Sequence, residues 1–246
     1  MISKTKNHRD LTLAFLTLTA VFGLLLSLLF IVYPPVLEDD WAFRSWTAGL
    51  AFCAVCIFGI FVAFFPSSCS RRLSFGKDRG GEELHFLLHE KTLKGHHPLC
   101  GNYSTHILHV GGRSLCATCT GLSVGAFGAV VGAIVYFFAG FRIGMPSVLA
   151  LIGALAVAAG LLQSAMPKSS NGYSRFCFSV VFVVGCFLLL VGLDAAVESL
   201  TVNLFFIALC VLLIITKIAF SQRDHSRICL QCSLESCRPD RIKAER

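Results

Sequence analysis

Charge is scarce in this 246-residue chain: Asp, Glu, Lys and Arg together make up 14% of it, against roughly 25% in water-soluble domains. The hydrophobic share is 55% and the mean hydropathy is +0.74. A soluble core of this size cannot hide so much apolar surface, so the solvent implied is a membrane. This excludes a secreted disulfide scaffold, a disordered chain and an ordinary cytosolic enzyme. Internal repeats and low-complexity linkers are also missing, which predicts one membrane domain. No small-x-small cleavage site follows the N-terminal apolar run, which is also too long for the h-region of a cleaved signal. It is expected to be the first permanent span.

What charge there is falls between apolar runs. Six mostly apolar stretches hold no Asp, Glu, Lys or Arg: 11–37, 45–70, 114–141, 143–167, 176–193 and 199–216; a seventh charge-free window, 95–112, is rich in His and Gly and reads as a polar loop. Each of the six reaches the roughly 18 residues that cross about 30 Å of hydrocarbon as a helix. Helices are required because an open strand leaves backbone groups unpaired in lipid. The expected fold is all-α and polytopic, with helices near 11–33, 46–65, 121–140, 147–166, 175–193 and 201–220. The expected organisation is a transmembrane hairpin (1–65), a Cys/His loop (66–120), a four-helix transmembrane region (121–220) and a cysteine-containing tail (221–246).

Placing the N-terminus in the cytosol leaves only Arg44 and Arg142 of the 21 Lys and Arg on the outer side. The outer loops carry Glu38, Asp39, Asp40, Asp194 and Glu198 instead. By the positive-inside rule both termini are then cytosolic, and a multi-pass protein of the cell membrane is expected. The net charge of +7 is met by an anionic inner leaflet, with no nucleic acid needed as partner. A protein partner or homo-oligomer is left open. Within the spans, Gly121, Gly125, Gly128 and Gly132, and Ala156 with Gly160, have the spacing that lets helix backbones approach closely. No ionisable group except cysteine is expected near a midplane; Lys217 and Asp194 lie near span ends, where they can snorkel.

None of the twelve cysteines falls in an outer loop. Cys53, Cys56, Cys177, Cys186 and Cys210 lie within spans and read as small apolar packers. Cys69 lies just inside. The others are cytosolic, where thiols stay reduced and such spacing points to metal or redox chemistry. The richest segment runs from His96 to Gly121, HHPLCGNYSTHILHVGGRSLCATCTG. Cys116 and Cys119 form a chelating Cys-x-x-Cys pair, with Cys100 upstream and His106 or His109 between. Gly111-Gly112 supplies a hinge that folds the loop back. Three thiolates and one imidazole complete a tetrahedral zinc site, with His97 as a substitute ligand.

The same pair opens a transmembrane helix, the setting in which amide dipoles activate thiols for disulfide exchange. A second cluster, His225, Cys229, Cys232 and Cys237, suits another zinc site or one shared with the loop. An iron–sulfur cluster there needs a fourth ligand from elsewhere. His85 and His89 share a helical face in EELHFLLHEKTL but lack the zincin order, and read as solvated histidines. Gln163, Ser170, Asn171 and Arg175 form a polar turn suited to an anionic headgroup or substrate.

HHPLC…H…CATCTGLSVG followed by LLQSAMPKSSNGYSRF resembles a family of prokaryotic predicted membrane proteins defined only as a domain of unknown function. The resemblance covers about residues 95–190. It rests on Cys100, Cys116, Cys119, Thr120, Gly121, Gln163, Ser170, Asn171 and Arg175, with His106 matching a histidine of some members. It implies that these positions form the site, and names no activity. An Asp that often precedes the Gln in that family is absent here, where Leu161-Leu162 stand. The leading expectation is therefore a membrane protein with a cytosolic zinc module of Cys100, His106, Cys116 and Cys119. The alternatives are a thiol–disulfide oxidoreductase using Cys116 and Cys119, and a transporter of a small or lipid-like solute.

Overall fold

The structure, a computed structural model, describes residues 2–35, 43–64, 106–110, 113–141, 144–166 and 171–231. It is an all-α polytopic fold. α1 spans Ile2–Val32 and α2 spans Arg44–Phe64. A two-stranded antiparallel ribbon follows, β1 (Ile107–Val110) and β2 (Arg113–Cys116). α3 (Ala117–Ala133) runs on through one wider π turn, Ile134–Phe138. α4 spans Pro146–Ala165, α5 Gly172–Val197 and α6 Leu200–Gln231.

Six segments are long and apolar enough to cross a membrane: Asp10–Val32, Arg44–Ala63, Ala117–Phe138, Pro146–Ala165, Gly172–Val197 and Leu200–Asp224. The chain is a multi-pass membrane protein. The ends follow local chemistry. Pro146 takes the first turn of α4, where its missing N–H is no loss. Glu198 closes α5 in the left-handed conformation, φ 53°. Ser199 then turns its Oγ toward the Val202 amide at 3.5 Å to start α6. The last helix continues past residue 220 to Gln231, so His225 and Cys229 extend it rather than beginning a separate tail.

α5 is the axis of the bundle. In its apolar window 56% of residues are buried, against 17% in α1, which lies at the periphery. α4 and α3 pack most extensively on α5. Small residues make this approach close: a Cβ on Gly121 would stand 2.5 Å from the Phe176 carbonyl oxygen, and one on Gly153 2.5 Å from the Leu189 amide. Gly128 has the same spacing but faces open space, so only part of the glycine pattern is packing. Cys56, Cys186 and Cys210 lie in the apolar core, as expected of small packers, whereas Cys177 is exposed.

Candidate functional site

The ribbon builds one corner of the molecule. Its register pairs Ile107 with Cys116 and Val110 with Arg113, and the expected Gly111-Gly112 hinge lies outside the described residues. His106 directly precedes β1 and is 2% exposed. Gly172, the first residue of α5, leaves room for the Ile107 carbonyl oxygen, which would lie 2.6 Å from a Cβ there. Leu108 is buried beside it. Cys116 ends β2 and sits at the N-cap of α3 with extended backbone; Cys119 lies one turn along, and both thiols are half-buried. The Thr120 hydroxyl donates to the Cys116 carbonyl at 2.8 Å and Ser123 to that of Cys119 at 3.0 Å. The Cys-x-x-Cys turn is thereby tied to the helix it begins.

Asp224 of α6 meets this corner. Arg175 Nη2 of α5 donates to Asp224 Oδ2 at 2.9 Å, and His106 Nε2 lies 3.2 Å from the same oxygen. All three residues are buried. Ser179 Oγ donates to the Arg175 carbonyl one turn on, at 2.8 Å. A carboxylate shared by a guanidinium and an imidazole joins the hairpin, α5 and α6.

The other expected site residues lie as follows. Cys100, Ser170, Cys232 and Cys237 fall outside the described residues. His225 and Cys229 lie on α6 and His109 on β1. Gln163 of α4 is half-buried, and its Nε2 is enclosed with no partner among the described residues. Asn171 takes the N-cap of α5, exposed and without a side-chain cap bond. Arg175, expected in a polar surface turn, points inward to Asp224. Among the described residues no three His, Cys, Asp or Glu side chains are close enough to hold a metal ion.

Sequence reasoning left Lys217 and Asp194 free to snorkel. Both turn inward instead, at 1% and 4% exposure. Lys217 Nζ donates to the Gly160 carbonyl at 2.8 Å and to Ser164 Oγ at 2.9 Å, and lies 5.1 Å from the centre of the Phe182 ring. Polar partners thus hold the ammonium inside the bundle, so it need not reach an interface. Asp194 accepts from Tyr136 at 3.0 Å and from Asn203 Nδ2 at 2.6 Å, with Arg44 Nε at 3.7 Å. The guanidinium of Arg44 also donates to the Glu198 carbonyl. One signal for these residues was present in the sequence: Asn203, Cys210, Lys217 and Asp224 recur every seventh residue, and all four are buried.

These features define a polytopic helical membrane protein with a buried ionic corner at one end of the bundle and a second buried carboxylate at the other. The chain matches no family model, no curated protein and no solved structure.

Proposed function

We propose that the hairpin corner is a zinc-binding module of a cell-membrane protein, placed on the cytosolic face beside an anionic leaflet. Cys116 and Cys119 supply two ligands, and His106 and Cys100 would have to close on them when metal binds, because no three such side chains among the described residues stand together here. The single observation that carries this reading is the position of His106. The ribbon register brings it to the strand end where the Cys-x-x-Cys turn begins, and Asp224 stands 3.2 Å from its Nε2. A carboxylate against one ring nitrogen is the arrangement that orients a metal-binding histidine and raises its basicity. Zinc has no redox chemistry of its own. Bound here it would cross-link the loop to the start of α3, and through Asp224 to α6.

Elemental analysis of anaerobically purified protein, with free thiols counted in the same sample, tests the reading. The expected result is about one zinc per chain with shielded thiols. In Cys119→Ser the expected result is zinc loss with membrane insertion intact, because insertion depends on the apolar spans. Unchanged zinc in Cys119→Ser removes this ligand set. No metal, with Cys116 and Cys119 closing reversibly to a disulfide, replaces it with thiol–disulfide exchange. That second reading is favoured by the N-cap position of Cys116, where helix amides stabilise a thiolate.

A further inference from the structure

Lys217 is the ionisable group the hairpin corner does not use. It lies seven residues before Asp224, about 10 Å further along the helix axis, and is 1% exposed. Among the described residues no carboxylate pairs with it; its donors go to a carbonyl, a hydroxyl and a ring face. A lysine at the very centre of a membrane span costs about 2.5–3.5 kcal/mol on insertion scales, and ionisable residues held inside a span, as Lys217 is within Leu200–Asp224, often mark ion or proton routes.

Lys217 also belongs to a row. Asn203, Cys210, Lys217 and Asp224 repeat at seven residues, a period that drifts only about 20° per step and keeps them on one face of α6. The row extends about 31 Å, close to the hydrocarbon thickness of about 30 Å. Polar groups of α5 answer three of the four stations. Arg175 binds Asp224, Asp194 binds Asn203, and the Cys186 thiol lies within hydrogen-bonding reach of Cys210. The groups that bond Lys217 are the Gly160 carbonyl and the Ser164 hydroxyl of α4; Arg175 and Cys186 of α5 are near enough to act on its charge.

We propose that this face of α6 is a transmembrane proton pathway in which Lys217 is the proton-binding residue. The cargo follows from the packing. Asn203, Leu189, Leu190, Leu193, Phe206 and Leu213 are all fully buried, and such close packing argues against any cargo larger than a proton. Phe206 lies between Cys210 and Asn203 on α6 and closes that stretch within one apolar cluster with Leu189, Leu190 and Leu193 of α5. Transfer past them requires α6 to shift, and the rate is that of a carrier rather than an open pore. The amine takes one proton from one face to become the ammonium. The ammonium releases it toward the other face and the amine is regenerated, with no electron transferred.

The test is proton flux into proteoliposomes holding the full chain, driven by a valinomycin-set potassium potential and read by a pH dye in the lumen. Wild-type flux is expected to exceed that of protein-free liposomes by about tenfold. Lys217→Met, which removes the amine at similar volume, and Lys217→Arg, which keeps the charge but cannot release its proton, are both expected to fall to the protein-free level. Circular dichroism and gel filtration in detergent establish that each variant is folded. A second amine-free variant, Lys217→Leu, stands in if Lys217→Met does not fold. Wild-type flux equal to that of empty liposomes overturns the proposal. So does flux retained in Lys217→Arg, which would make Lys217 a structural cation.

Discussion

Removing the carboxylate of Asp224 is the most informative single perturbation of the ionic corner. Its Oδ2 is 2.9 Å from Arg175 Nη2 and 3.2 Å from His106 Nε2, with side-chain exposures of 10% for Asp224 and 7% for Arg175. Asp224→Ala therefore leaves a buried guanidinium with its carboxylate gone. Breaking a buried pair from one side costs about 3–5 kcal/mol, mostly the penalty of the stranded charge. Replacing both partners, in Arg175→Met with Asp224→Leu, strands nothing and is expected to recover most of that loss. If His106 binds zinc, loss of its orienting carboxylate should also weaken zinc about 10- to 100-fold. Unfolding by titrated SDS in mixed micelles, followed by circular dichroism, gives the stabilities, and competition with a chelating dye gives the zinc affinity. Asp224→Ala within about 0.5 kcal/mol of wild type, the range of an ordinary surface change, would refute the pairing. Unchanged zinc affinity in a folded Asp224→Ala would detach the corner from metal binding.

Four further outcomes are expected. Gly121→Ala places a methyl 2.5 Å from a backbone oxygen and should cost about 1–3 kcal/mol by overpacking. Gly128→Ala meets nothing within 4 Å and should be neutral or stabilising by up to about 1 kcal/mol through helix propensity; equal thermal stabilities of the two variants would contradict the packing described. Tyr136→Phe removes a donor to the buried Asp194 carboxylate and should lower stability by about 1.5–3 kcal/mol. Tyr173→Phe, at a residue 70% exposed, should change SDS unfolding by less than about 0.5 kcal/mol.

The six spans were legible because a charge-free run of helical length is a property of composition, readable without knowing any contact. Most of their ends were legible to within a few residues, Pro146 marking one of them locally, whereas α6 runs on from the expected 220 to Gln231. The ribbon was less so. The segment before Cys116 is short and rich in His and Gly, and only the pairing of Ile107 with Cys116 makes it a hairpin. The turning inward of Lys217 and Asp194, where snorkelling was expected, was not legible from either residue alone. It depends on partners far along the chain: Gly160 and Ser164 for Lys217, and Tyr136 for Asp194. The glycines show the same limit. Gly121 and Gly128 are equivalent by spacing, and only the presence of α5 beside one of them separates their roles.

The two-residue link of Glu198 and Ser199 gives α6 the mechanics of a lever. It fastens α6 to α5 at one end, and the length from Leu200 to Asp224 is about 37 Å. A tilt of about 5° about that joint would move Asn203 by about 0.5 Å and Asp224 by about 3 Å. The 2.6 Å bond between Asn203 and Asp194 would survive such a tilt, while the 2.9 Å bond between Arg175 and Asp224 would part first. A small angular change at one face of the membrane is therefore magnified at the other, and the hairpin corner sits where the displacement is largest.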